Sequence, residues 1–195
     1  MHSTFSDGEF TPTRLVDIAK DNGVSTLCLT DHDTFGGIQE FTAAADAGGI
    51  FAFPGIEITV RYRDFNLHLL AYFESEDSLS DKLCVEVLSM ASKREKRMRE
   101  LINCLNKVVP EKFRGTIEYE NVRRAAEGVL ARPHLAKEMV RLGIVSTTRE
   151  AFDRYLVKYN VERKNLEMKE AIRLIRGCNG IPVLAHPGER SYSLH

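Results

Sequence analysis

The sequence predicts an α/β fold, a sheet or barrel interrupted by a helical insertion. Three observations carry this. Within residues 1–75, short apolar runs rich in β-formers alternate with stretches of helical periodicity. From about 76 to 178 the chain turns helical and highly charged. "GIPVLAHPG" (180–188) then returns to a buried-strand pattern with a polar tip. The expected division is a core formed by 1–75 and 179–195, with 76–178 as a mostly helical insertion. A length of 195 residues suits one domain with an inserted subdomain.

The elements follow in order. In "TPTRLVDIAKDN" (11–22), Thr11 can cap a helix, Pro12 suits its first turn, and Leu15, Ile18 and Ala19 form an apolar stripe before Gly23. "VSTLCLTD" (24–31) reads as a short strand. "TFGGIQEFTAAADAGG" (34–49) reads as a helix closed by a glycine pair. "IFAFPGIEITVRY" (50–62) and "NLHLLAYFE" (66–74) read as two further strands. In the insertion, Leu83, Val87, Met90, Met98, Leu101, Ile102 and Leu105 recur at helical spacing. Further helices are expected near 119–127, 133–142, 147–156 and 167–178.

The bulk numbers narrow the function. A hydrophobic fraction of 43% supports a core, and a net charge of −1 gives no global field for nucleic acid or an anionic membrane. An anionic ligand must therefore be drawn by a local cluster. Cys28, Cys84, Cys104 and Cys178 are scattered without a CxxC pair, as expected of buried reduced thiols. No stretch approaches eighteen apolar residues and no leader opens the chain, so a cytoplasmic protein without a membrane span is expected.

Polar residues gather where strands end. "LTDHDT" places Asp31, His32 and Asp33 after an apolar run, "PGIE" places Glu57, a strand carries His68, and "VLAHPG" places His186. The opening "HSTFSDG" adds His2 and Asp7 on a turn. The C-terminal ends of strands build the active sites of α/β proteins. Imidazole and carboxylate together suit zinc, manganese or iron, and a bridging carboxylate holds two such cations close. Singly, each residue has an ordinary structural reading: a hydrogen-bonded turn, a core histidine, an edge carboxylate. Their joint occurrence favours convergence on one pocket.

"HSTFSDG", "TDHDT", "PGIE", "HLLAYF", "RPHLA" and "LAHPG", in that order, resemble the PHP (polymerase and histidinol phosphatase) superfamily of metal-dependent phosphoesterases. The likeness is strongest to its stand-alone bacterial enzymes, which act on nucleoside bisphosphates or trim short 5′-phosphorylated RNA as exonucleases. The resemblance implies a distorted seven-stranded (β/α) barrel with up to three divalent ions, manganese, zinc or iron. It implies that His2 and Glu57 bind one metal, that Glu57 bridges to a second completed by His68 and His186, and that Asp7 and His32 hold a third. It also implies hydrolysis of phosphate esters of nucleotides or short RNA by a metal-bound hydroxide. "SKREKRMRE" offers Arg94 and Arg97 one turn apart, and "ARPHLA" offers Arg132 at a helix N-terminus beside His134. These four are the candidate phosphate-binding residues, with His134 a candidate proton donor. Their ordinary readings are a solvated helix face and a capping histidine.

Family members begin with a pair of histidines one residue apart and finish with an Asp-x-His pair beyond the AHPG motif. Here the earlier histidine would precede Met1, and no Asp-x-His pair follows His186. MHSTFSDG therefore reads as the middle of a motif. The expectation is a barrel truncated at both ends, with an apolar face left open. The alternative reading is a non-catalytic fragment that binds nucleotide phosphate or a partner protein.

Overall fold

The computed structural model describes residues 1–126, 128–159, 161 and 165–188. The chain forms two compact units, one comprising Met1–Met90 with Asn165–His195 and the other Ala91–Lys164.

The first unit is built on a five-stranded mixed sheet. Its elements are helix α1 (Pro12–Asp21), strand β1 (Thr26–Leu29), helix α2 (Ile38–Gly48), and strands β2 (Phe51–Tyr62) and β3 (Phe65–Tyr72). The 28-residue helix α3 (Asp81–Val108) begins there. After the second unit come β4 (Leu166–Glu167), α7 (Met168–Gly177) and β5 (Ile181–Leu184). The sheet order is β1-β2-β3-β5, with β4 also pairing β2. The long β2 runs parallel to β1 through its first residues, then antiparallel to β3 from Gly55 to Tyr62.

The alternation along β2 and β3 decides what faces what. Ile56, Ile58 and Val60, with Leu67, Leu69, Ala71 and Phe73, point to one side and are buried. There they pack with Leu83, Val87 and Met90 of α3 and with Ala171, Leu174 and Ile175 of α7. A separate core forms where α1 and α2 cover β1, around Val16, Leu29 and Phe41. Glu57 and His68 point to the opposite side, two strands sharing one face through the register Glu57↔Leu70 and Thr59↔His68. By the same register, Phe51, Phe53, Ile181 and Val183 lie on that face and are exposed, Phe51 by 75%.

The expected elements are present, and three details differ. Helix α7 was expected in the insertion, but its apolar stripe packs on the sheet, so the units divide after Met90 and before Asn165. The two-residue β4 was not expected, being too short to show a period. Cys178 alone of the four free cysteines is buried, the others being half-buried.

The second unit has its own core of Met98, Leu101, Ile102, Leu105, Val122, Leu135, Met139 and Leu156. It holds the latter part of α3 together with α4 (Tyr119–Arg124), α5 (Arg132–Arg141) and α6 (Thr148–Ala151), the last continued by a wider turn over Phe152–Leu156. Charge divides sharply between the units. Residues 91–164 carry 18 Lys and Arg against 10 Asp and Glu, and the rest of the chain 9 against 18. The near-zero net charge hides this segregation.

Candidate metal centre

Glu57 is the hub. It is 4% exposed and follows the tight crossing at Gly55, where a Cβ would lie 2.6 Å from Cys28 Sγ and 2.9 Å from the carbonyl oxygens of Leu29 and Ala71. Its two carboxylate oxygens face different partners. Oε2 lies 3.1 Å from His2 Nε2, while Oε1 lies 3.0 Å from His68 Nδ1 and 3.3 Å from His186 Nε2. His68 Nδ1 and His186 Nε2 are themselves 3.3 Å apart. The rings of His2 and His32 stack at 4.5 Å between centroids, and that of His68 stands edge-on to His32 at 4.8 Å.

Two ligand groups result among the described residues: His2, His32 and Glu57, and Glu57, His68 and His186. Glu57 belongs to both. Asp7 reaches the first, with Oδ1 3.6 Å from His2 Nδ1 and Oδ2 3.8 Å from His32 Nε2. All six residues expected at the site are thus brought together. One grouping differs, because His32 stands with His2 and Glu57 as well as beside Asp7.

The donors suit a divalent cation. His2 Nδ1 is buried without a hydrogen bond, and Asp7 is too far from it to make one. Ligand atoms about 2.1 Å from a tetrahedral cation sit roughly 3.4 Å from one another, close to the separations here. Mixed imidazole and carboxylate donors match manganese, iron or zinc.

Electrostatics agree with ligation. Burial pushes the Glu57 carboxyl up, but hydrogen bonds from His2 and His68 and the nearby imidazoles outweigh it, holding the group ionised well below the usual range. Desolvation lowers His32 to about 4, so near pH 7 its ring is neutral and its lone pair can bind metal. The hydrogen bond to Glu57 raises His2 above its ordinary value, against the opposing effect of burial.

The loops carrying these ligands are held by groups that sequence reading did not assign. Asp31 and Asp33 flank His32, and neither carboxylate belongs to either ligand group. Asp33 accepts from Thr59 N at 2.7 Å and Thr59 Oγ1 at 2.9 Å, pinning β2 two residues beyond Glu57. Asp31 accepts from Ser3 and Ser6. Asp33 (φ 52°) and His186 (φ 30°) adopt left-handed backbone, a strain of order 1 kcal/mol each that concentrates at functional sites.

The four phosphate candidates lie in the second unit, all half-buried. Arg97 Nε donates to Val161 O at 2.7 Å, so this side chain is fixed rather than solvated. Arg132 starts α5 and lies over the Phe152 ring at 5.7 Å. His134 has the capping role: Ala131 N–H donates to its Nδ1 at 3.0 Å, while its own N–H donates to Ala131 O. That acceptor role puts the ring proton on Nε2.

The chain matches the PHP domain family over residues 1–171. It is 34% identical over 190 residues to a 5′-3′ exoribonuclease of Haemophilus influenzae, covering 95% of this chain and 66% of that protein. It is 30% identical to a 3′,5′-nucleoside bisphosphate phosphatase of Chromobacterium violaceum, covering 96% and 65%. The chain therefore spans just under two thirds of the length of these curated relatives. A solved structure from Bifidobacterium adolescentis, assigned to the metal-dependent phosphoesterases, superposes with a TM-score of 0.81 at 27% identity, covering 97% of this chain and 66% of that one. A Chromobacterium violaceum structure named as an amidohydrolase, with bound sulfate and no metal, gives a TM-score of 0.76 at 29% identity, covering 96% and 66%.

Proposed function

Because this chain belongs to the PHP domain family, we propose that it is a metal-dependent phosphoesterase acting on phosphorylated nucleotides or short RNA. The observation that carries the reading is the Glu57 carboxylate, each oxygen turned to a different histidine group. The donors fit two or more divalent ions of manganese, zinc or iron, with His2, Asp7, His32 and Glu57 on one side and Glu57, His68 and His186 on the other. Bound there, such ions supply Lewis acidity for a phosphoryl oxygen and lower the pKa of coordinated water.

The chain's own residues do the rest. Glu57, kept ionised, offers an oxygen to each group and sets their spacing. Neutral His32 contributes a lone pair without first losing a proton. The excess of cations in residues 91–164 favours a polyanionic substrate, and Arg94, Arg97 and Arg132 are the proposed phosphate contacts, with His134 presenting its Nε2 proton. A cytoplasmic setting accords with four cysteines that are free. Among the described residues, no helix is long and apolar enough to cross a membrane.

The test is hydrolysis of a nucleoside 3′,5′-bisphosphate and of a short 5′-phosphorylated RNA, with Mn²⁺ and with chelator. Turnover that needs the metal is expected, and Arg132→Ala should raise KM about tenfold, the worth of a charged hydrogen bond. Phosphate binding without turnover would favour the non-catalytic reading instead.

Metal loading should also release a proton from His2. Its pKa is raised in the metal-free protein, so affinity climbs with pH through that value and then levels. Mn²⁺ calorimetry near pH 6.5, in buffers of different ionisation enthalpy, should show a release that disappears in His2→Ala. Buffer-independent heats would contradict this. For the metal-free fold, His2 stabilises below its unfolded pKa of 6.5, and that contribution is lost as pH rises through the folded value. His32 acts oppositely: with a folded pKa near 4, it costs stability as pH falls from 6.5 towards 4.

A further inference from the structure

We propose that Asp31 is a positioning residue that sets the His2, His32 and Glu57 group as a unit, while the sheet sets the Glu57, His68 and His186 group without it. The inference rests on the metal reading above and adds the device that assembles one half of the centre.

Asp31 is 1% exposed, and three donors reach its carboxylate. Ser3 N and Ser6 Oγ donate to Oδ1 at 2.6 and 2.5 Å, and Ser3 Oγ donates to Oδ2 at 2.6 Å. Ser3 follows His2 in the chain, Ser6 precedes Asp7, and Asp31 itself precedes His32. The backbone adds the fourth ligand, because Glu57 N donates to Asp31 O at 3.0 Å. A single buried residue therefore adjoins His32 in the chain, accepts from the backbone of Glu57, and holds through its carboxylate the serines next to His2 and Asp7. Both oxygens of its carboxylate accept from the serine loop and neither joins a ligand group, which makes it a strut for ligands rather than a ligand.

The other group has different support. His68 lies on β3, and His186 follows β5, whose register against β3 runs Leu69↔Leu184. Ala185 N donates to His68 O at 3.0 Å, carrying the ladder to the residue before His186. Among the described residues, no contact of the Asp31 carboxylate enters this arrangement.

The experiment titrates the protein with Co²⁺ alone, reading visible absorption and calorimetric heats. The variants are Asp31→Ala, Asp31→Asn and Ser6→Ala, with His186→Ala as the reference for the other group. The wild type should take up metal in two steps, one of which His186→Ala weakens. Asp31→Ala should weaken the other step about 10- to 100-fold, as outer partners of ligands do, and leave the His186-dependent step in place. Ser6→Ala removes one of three hydrogen bonds and should shift the same step less. It also keeps the test open should Asp31→Ala fold poorly. Asp31→Asn should recover part of the loss, since its amide oxygen still accepts and its NH₂ can donate to Ser3 Oγ.

Equal weakening of both steps in Ser6→Ala and Asp31→Asn, tracking a fall in Tm, would make Asp31 merely structural and overturn the proposal. Unchanged titrations would overturn it too. A wild type that binds no Co²⁺ would defeat the metal reading itself, a failure visible before any substitution is compared.

Discussion

Glu57→Gln is expected to strip both ligand groups of metal and lower phosphoesterase turnover on the order of a thousandfold. Each Glu57 oxygen serves a different set of histidines, so no other residue can restore the bridge. Glutamine keeps the shape and one weak oxygen donor but loses the charge that holds two cations near each other. The half-buried imidazoles of His2 and His68 would then face an amide in place of an anion. Elemental analysis of variant and wild type purified alike, with bisphosphate hydrolysis alongside, reads the effect. His134→Ala provides the contrast: its ring closes the N-terminus of α5, so it should cost far less metal than Glu57→Gln. The reverse order would remove both role assignments.

Gly8→Ala should have the next largest effect. The opening segment curls on itself, with Ser6 N and Gly8 N both donating to Ser3 O at 3.0 and 2.9 Å. A Cβ on Gly8 would collide with the backbone carbonyl of His2 and would lie 2.7 Å from Ser3 N. Backbone cannot swing aside as a long side chain can, so the loop must open and carry His2 and Asp7 with it. We expect affinity at the His2 group to fall roughly 10- to 100-fold, with about 1–3 kcal/mol lost from overpacking. Mn²⁺ titration beside thermal unfolding checks both numbers. Unaltered metal binding would mean that the SDG turn does not set these ligands.

Much of this arrangement is legible in the sequence because it follows local rules. Thr11 caps α1 as its hydroxyl predicts, Arg14 N donating to Thr11 Oγ1 at 3.2 Å. Apolar runs of the right length became β1, β2, β3 and β5. The ligand types were visible at strand ends, and the sheet register brings Glu57 and His68 to one face. What was not legible depends on long-range contact. Asp31 and Asp33 stood beside His32 among the polar residues at a strand end and had no assigned role, because their partners, Ser3, Ser6 and Thr59, lie 25 to 28 residues away. For Asp31 the alternation of side-chain direction was the available signal, since it sends a residue away from the face its neighbour takes; the left-handed backbone of Asp33 follows no such rule. The unit boundary was misplaced for a similar reason: the charge of 167–178 resembles the insertion, whereas its apolar stripe belongs to the sheet. The charge segregation was countable from the sequence, yet it acquires meaning only once the units are known.

The most direct test of the central claim is metal per chain, by elemental analysis of protein purified without chelator. It should be paired with the same measurement on Glu57→Gln. At least two divalent ions per wild-type chain, falling to one or none in the variant, is the result predicted for two groups sharing one carboxylate. A wild type with no bound metal, or a variant that retains two, would contradict it.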